Sequence, residues 1–245
     1  MKTIGLIGGM SWESTADYYR IINETVKKQL GGFHSAKILL YSFDFAEIEF
    51  YENERWDKET KAIIEVAKKL EAAGADFIVI ACNTAHKTSD EIQNSIGIPL
   101  LHIVDVAAEE VKSANIRKVG LLGTKFTMEG DFYAGRLGSH GLEVVVPYEK
   151  DRQAIHDVIY NELCLGKINP ASKERFKRII ERLVERGADG VILGCTELQM
   201  LIKAGDVKVP VFDTTEIHAR AAAMASLGSG EKLTKEKPKN TNSIK

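Results

Sequence analysis

Short apolar runs recur along the chain at 3–7, 36–41, 77–81, 99–103, 118–122, 142–146, 190–193 and 209–212. Most are continuous rather than alternating, the pattern of parallel strands covered on both faces. Between them the apolar period lengthens to that of a helix. Residues 13–30 place Tyr19, Ile22, Val26 and Leu30 on one stripe and stop at Gly31-Gly32. Residues 57–73 carry Ile63, Val66 and Leu70 before Gly74, and 172–186 carry Phe176, Ile179 and Leu183 before Gly187. Strands alternating with helices predict βα units around parallel sheets.

The chain also resembles itself. The stretch 69–82, KLEAAGADFIVIAC, answers to 182–195, RLVERGADGVILGC. The earlier strand repeats as well, with 4–8 (IGLIG) matched by 119–123 (VGLLG), and so does the later one, with 98–101 (IPLL) matched by 209–212 (VPVF). Three markers at a nearly constant offset point to a duplicated unit. The predicted fold is therefore α/β, with two pseudo-symmetric lobes. Each lobe is a mostly parallel four-stranded sheet flanked by helices, and a cleft lies between them. The expected first lobe is 1–100 plus a returning helix at 213–228, and the second is 101–212. Residues 229–245 lack apolar periodicity and are rich in Lys, Ser, Thr and Asn, which reads as a disordered tail.

Composition removes several classes of function. The 33 basic and 35 acidic residues give a net charge of -2, so no footprint for nucleic acid is expected. No apolar stretch reaches membrane-spanning length. The opening residues read as a buried strand rather than an export signal, which makes the cytoplasm the expected compartment. Gly5-Leu6-Ile7-Gly8-Gly9 lacks the spacing of a dinucleotide-binding loop, and no phosphate loop of the Walker kind is present.

Three cysteines, Cys82, Cys164 and Cys195, argue against a disulfide framework. A single cysteine is usually a small buried hydrophobe. Cys82 and Cys195, however, hold matching positions of the repeat, each directly after a strand and before a helical segment. In parallel sheets that is where ligands bind, and a helix start there favours both a thiolate and a bound carboxylate. Two lobes facing across a cleft would present the thiols to opposite sides of one molecule. Inverting a stereocentre needs that arrangement, with one thiolate removing the α-proton and the other thiol delivering one to the far face. The developing enediolate would need fixed donors. Candidates are Asn83, Thr84 and Thr196 beside the cysteines, and Met10, Ser11 and Thr124 in the first loop of each lobe.

Gly8-Gly9-Met10-Ser11, Cys82-Asn83-Thr84-Ala85-His86 and Gly194-Cys195-Thr196-Glu197 together resemble the aspartate/glutamate racemase family over almost the whole chain. The resemblance implies two α/β lobes, an amino-acid substrate in the cleft, no pyridoxal phosphate, no metal and a homodimer. It implies catalytic roles for Cys82 and Cys195, and carboxylate binding by Asn83, Thr84 and Thr196. The sequence departs from aspartate-specific members in lacking an Arg at 43–54 and in placing Cys164 where a helical Lys aligns. Glu52 falls in the same specificity region and, pointing inward, would repel a distal carboxylate. A neutral, basic or broad substrate range is the expectation.

Other readings stay open at this point. Within the superfamily, maleate-type isomerisation keeps two cysteines, whereas arylmalonate-type decarboxylation needs one. From another class, an amino-acid-binding or redox-sensing protein would use the same cleft without turnover. His86 stands four residues from Cys82 but lacks further ligands for a metal, so a cap or supporting role is expected. His102, His156 and His218 read as structural. Glu197 either tunes Cys195 or lies exposed, and Cys164 reads as packing on a helix at 157–165.

Overall fold

The computed structural model describes residues 1–228, with the side chains of 52–54 left aside; the predicted tail at 229–245 lies outside the described residues. In the first half, β1 (Thr3–Gly8), α1 (Trp12–Leu30), β2 (Lys37–Ser42), α2 (Phe45–Glu54), α3 (Trp56–Ala72), β3 (Phe77–Ile80), α4 (Ser89–Ser95) and β4 (Leu100–Leu101) follow one another. A bridging helix, α5 (Ile103–Ser113), leads to β5 (Lys118–Gly123), α6 (Lys125–Glu129), α7 (Asp131–Ser139), β6 (Glu143–Val145) and α8 (Glu149–Asn161). The chain ends its described part with α9 (Pro170–Glu185), β7 (Gly190–Gly194), α10 (Leu198–Leu201), β8 (Val211–Asp213) and α11 (Thr214–Ser226).

The strands form two four-stranded sheets of identical order, β2-β1-β3-β4 and β6-β5-β7-β8. Every pairing is parallel. The central strands β1, β3, β5 and β7 are almost wholly buried, which is why their sequences read as unbroken apolar runs. One core cluster spans both sheets, joining Leu6 and Val79 to Leu121 and Ile192 through α1, α5 and α11. Two further clusters cover the outer faces of the individual sheets.

The repeat seen in sequence is thus a repeat of topology. Some elements differ from expectation at their edges. The predicted strand at 99–103 shrinks to two residues because His102 caps α5, its Nδ1 accepting from Val104 N at 3.2 Å. The expected helix at 157–165 is α8, which starts earlier and ends at Asn161. Cys164 instead occupies a single 3-10 turn, Leu163–Leu165, closed by Gly166 in the left-handed conformation (φ 68°).

The loop after β1 is bent by Gly9, with φ 88°. A Cβ there would stand 2.3 Å from both N and O of Phe43. Gly9→Ala should therefore lower stability by about 3 kcal/mol, from left-handed strain plus a backbone clash. An unchanged urea-unfolding midpoint would contradict this account.

Candidate active site

Parallel topology brings the loops after the four central strands to one edge of each sheet. In the first lobe the pairing of β1 with β3 continues past the strand end, with Ala81 N donating to Ile7 O at 2.8 Å. Cys82 therefore emerges beside the Gly8-Gly9-Met10 loop. In the second lobe, Gly123 pairs with Gly194, so Cys195 emerges beside Thr124. Both cysteines are 8% exposed and free of disulfides.

The two thiols line the same cleft, together with Met10, Asn83, Thr84, Thr124, Thr196 and Glu197. Its volume is about 20 Å³, room for little more than one water molecule. Phe45, Ile159, Tyr160 and Cys164 complete the wall.

Hydrogen bonds assign different duties to the sequence candidates. The hydroxyl of Thr84 lies 3.1 Å from that of Thr124 and 3.4 Å from that of Thr127. These hydroxyls form a small donor–acceptor group on the cleft wall, anchored where Thr124 caps α6. Asn83 is tied at both ends of its amide: Nδ2 donates to Thr214 at 3.1 Å, and Oδ1 accepts from Tyr133 at 3.0 Å. Its side chain braces the loop between the lobes. Ser11 is buried but does not line the cleft; its hydroxyl donates to Glu197 at 3.0 Å. Glu52 lies on α2, and its side chain falls outside the described residues.

Glu197, for which exposure was an open reading, is 3% exposed. Cys195 Sγ donates to Oε2 at 3.0 Å and Thr196 Oγ1 to the same oxygen at 2.9 Å. Burial pushes the Cys195 thiol well above its usual range, and the Glu197 charge pushes it further the same way. A buried thiol beside a carboxylate keeps its proton at neutral pH and is suited to act as an acid.

Beneath Cys82 lies a group of buried histidines. The ring of His86 is 4.6 Å from that of His102 and 5.9 Å from that of His218. His86 donates from Nδ1 to the Cys82 carbonyl at 2.7 Å, while its Nε2 accepts from Ile103 N at 3.3 Å. It supports the cysteine's backbone, as expected of a residue four positions on. Burial lowers its pKa to about 4 and that of His218 to about 3.

Sequence reasoning did not anticipate Phe45, Ile159 or Tyr160. Ile159 and Tyr160 sit late on α8, and no local pattern separates their wall positions from ordinary packing. Cys164 is half-buried on the cleft wall rather than packed inside a helix; its alignment with a substrate-binding Lys was the available signal.

A duplicated parallel α/β fold that brings one cysteine from each copy to a shared cleft defines the class of two-lobed racemases that work without pyridoxal phosphate. The chain belongs to the Asp/Glu/hydantoin racemase family, whose sequence model matches residues 7–222. A Yersinia pestis protein solved as a candidate Asp/Glu racemase is 52% identical, with a TM-score of 0.86 over 93% of this chain and 100% of its own. An aspartate racemase homologue from Pyrococcus horikoshii is 41% identical, with a TM-score of 0.80 over the same shares. The broad specificity amino-acid racemase RacX of Bacillus subtilis is 29% identical over 234 residues, 91% of this chain and 98% of that protein. Among the described residues no helix is long and apolar enough to cross a membrane.

Proposed function

We propose that the chain interconverts the enantiomers of free α-amino acids with neutral side chains, several rather than one, using Cys82 and Cys195 as opposed acid and base. The observation that carries this reading is the lining of the cleft. One proposed catalytic thiol comes from each copy; the rest of the wall carries hydroxyls, the Asn83 amide, the Glu197 carboxylate, the Cys164 thiol and apolar side chains, with no Lys, Arg or His among the described lining residues. A distal carboxylate buried there would find no cation on the described wall, at a cost of several kcal/mol. The α-carboxylate instead meets the Thr84 and Thr124 hydroxyls and the backbone N–H groups at the starts of the turns, which also suit the developing enediolate. The broad specificity in the name of the Bacillus relative supports the same breadth here. In this reading the lobes are 1–100 with 213–228, and 101–212, and the protein acts as a homodimer in the cytoplasm.

The test is incubation with single L- and D-amino acids in deuterated water without pyridoxal phosphate, following loss of the α-proton and change of chirality. Exchange with inversion on several neutral amino acids is the expected result. Strict preference for aspartate would refute the neutral pocket. No exchange on any amino acid would refute the racemisation reading and turn attention to maleate-like substrates or to binding without turnover.

A further inference from the structure

The two copies place their cysteines alike but surround them differently. Two residues beyond Cys195 stands Glu197, and two residues beyond Cys82 stands Thr84. Four donors meet the Glu197 carboxylate: the Cys195 thiol at 3.0 Å, the Thr196 hydroxyl at 2.9 Å, and the hydroxyl and amide of Ser11 at 3.0 and 3.4 Å. The Thr84 hydroxyl bonds instead to Thr124 at 3.1 Å.

We propose that Glu197 is a positioning residue that sets the resting state of the pair, holding the proton on Cys195 and leaving Cys82 to act first as the base. The proposal rests on the assignment of these two thiols as the acid/base pair. Ionising Cys195 while Glu197 is charged would put two negative charges in hydrogen-bond contact inside a buried cleft. Among the described residues that line the cleft, the titratable groups sharing it with Cys195 are Glu197 on its own segment, Tyr160 at the end of α8, Cys164 in the turn that follows, and Cys82 across the cleft. None of them brings a positive charge. Ser11 and Thr196 hold the carboxylate in place, so the preference is built into the loop after β1 as well as the one after β7.

The proton count closes. The Cys82 thiolate takes the α-proton and becomes a thiol, while Cys195 gives its proton to the opposite face and becomes a thiolate. One proton enters the pair and one leaves it. The opposite enantiomer must meet the form with ionised Cys195, which Glu197 disfavours.

The experiment is nuclear magnetic resonance of isotope-labelled cysteine β-carbons in the full chain, titrated with pH. Signals are assigned by single Cys→Ser replacements. Glu197→Gln keeps an acceptor and removes the charge, whereas Glu197→Asp keeps the charge on a shorter arm. Expected is a downward move of the Cys195 midpoint by about one pH unit in Glu197→Gln, equivalent to about a tenfold larger thiolate fraction at neutral pH. The midpoint in Glu197→Asp should stay near the parent's, and the Cys82 signal should be unmoved in both. An unmoved Cys195 midpoint in Glu197→Gln, or equal shifts in both variants, would overturn the proposal. Racemisation measured on the same samples separates the two claims: an inactive parent sinks the racemase reading, and the titration still decides the role of Glu197.

Discussion

Cys82→Ala and Cys195→Ala are each expected to lose racemisation while keeping the ability to exchange the α-proton of one enantiomer with solvent. Inversion requires removal of a proton from one face and delivery to the other, and each alanine removes the only thiol proposed for one face. Loss of a positioned acid or base costs about 10²- to 10⁴-fold, so chirality change should fall by at least that factor. The remaining thiol still reaches its own face and can return a solvent-derived proton to the side it came from. The two variants should therefore exchange opposite enantiomers. Both cysteines are buried at the ends of central strands, and exchanging sulfur for a methyl hydrogen leaves little cavity, so folding should survive. Proton resonance of the α-position in deuterated water, alongside chiral chromatography, reads both quantities. A variant that racemises within about twofold of the parent would remove that cysteine from the mechanism. Two variants that exchange the same enantiomer would disprove the opposed geometry.

A second large effect concerns acid. His86 and His218 each use one ring nitrogen as donor and the other as acceptor. His218 gives its Nε2 proton to Leu101 O at 3.0 Å and takes one from Tyr18 OH at 2.9 Å on Nδ1. Only the neutral ring satisfies both bonds, and burial holds the pKa values at about 4 and about 3. These folded values lie below the unfolded one of about 6.5. The stability tied to neutral histidine is therefore complete above the unfolded value and is lost as pH falls toward the folded values. At about pH 5 each residue has cost about 2 kcal/mol. Urea-unfolding midpoints should thus drop steeply between about pH 7 and pH 5. Buried His102 in the same cluster is likewise held well below its ordinary value, so His218→Gln, which keeps a neutral donor and acceptor, should remove about a third of that slope. A midpoint flat across this range would refute the assignment.

Much of this architecture is legible in the amino-acid order because parallel strands buried on both faces leave unmistakable apolar runs. The 69–82 and 182–195 stretches give the duplication directly. Short elements near caps are less legible. β4 keeps only Leu100–Leu101, since His102 turns the chain into a helix, a decision made by one side-chain bond. At the site, Cys82 and Cys195 follow from the repeat and the family motifs. Ser11 and Glu197 become interpretable only together, because their hydrogen bond joins residues far apart in the chain. Phe45 and Tyr160 reach the cleft through tertiary packing that no local period encodes.

The inequality of the copies, Thr84 in one and Glu197 in the other, has a thermodynamic boundary. Free enantiomers of an amino acid have the same energy, so their equilibrium constant is unity however lopsided the protein. Catalytic efficiency, kcat/KM, must then be equal in the two directions. Any difference in KM between the D and L forms has to be matched by the same difference in kcat. An unequal pair of thiols therefore decides which enantiomer saturates the protein first, and has no power over which one accumulates.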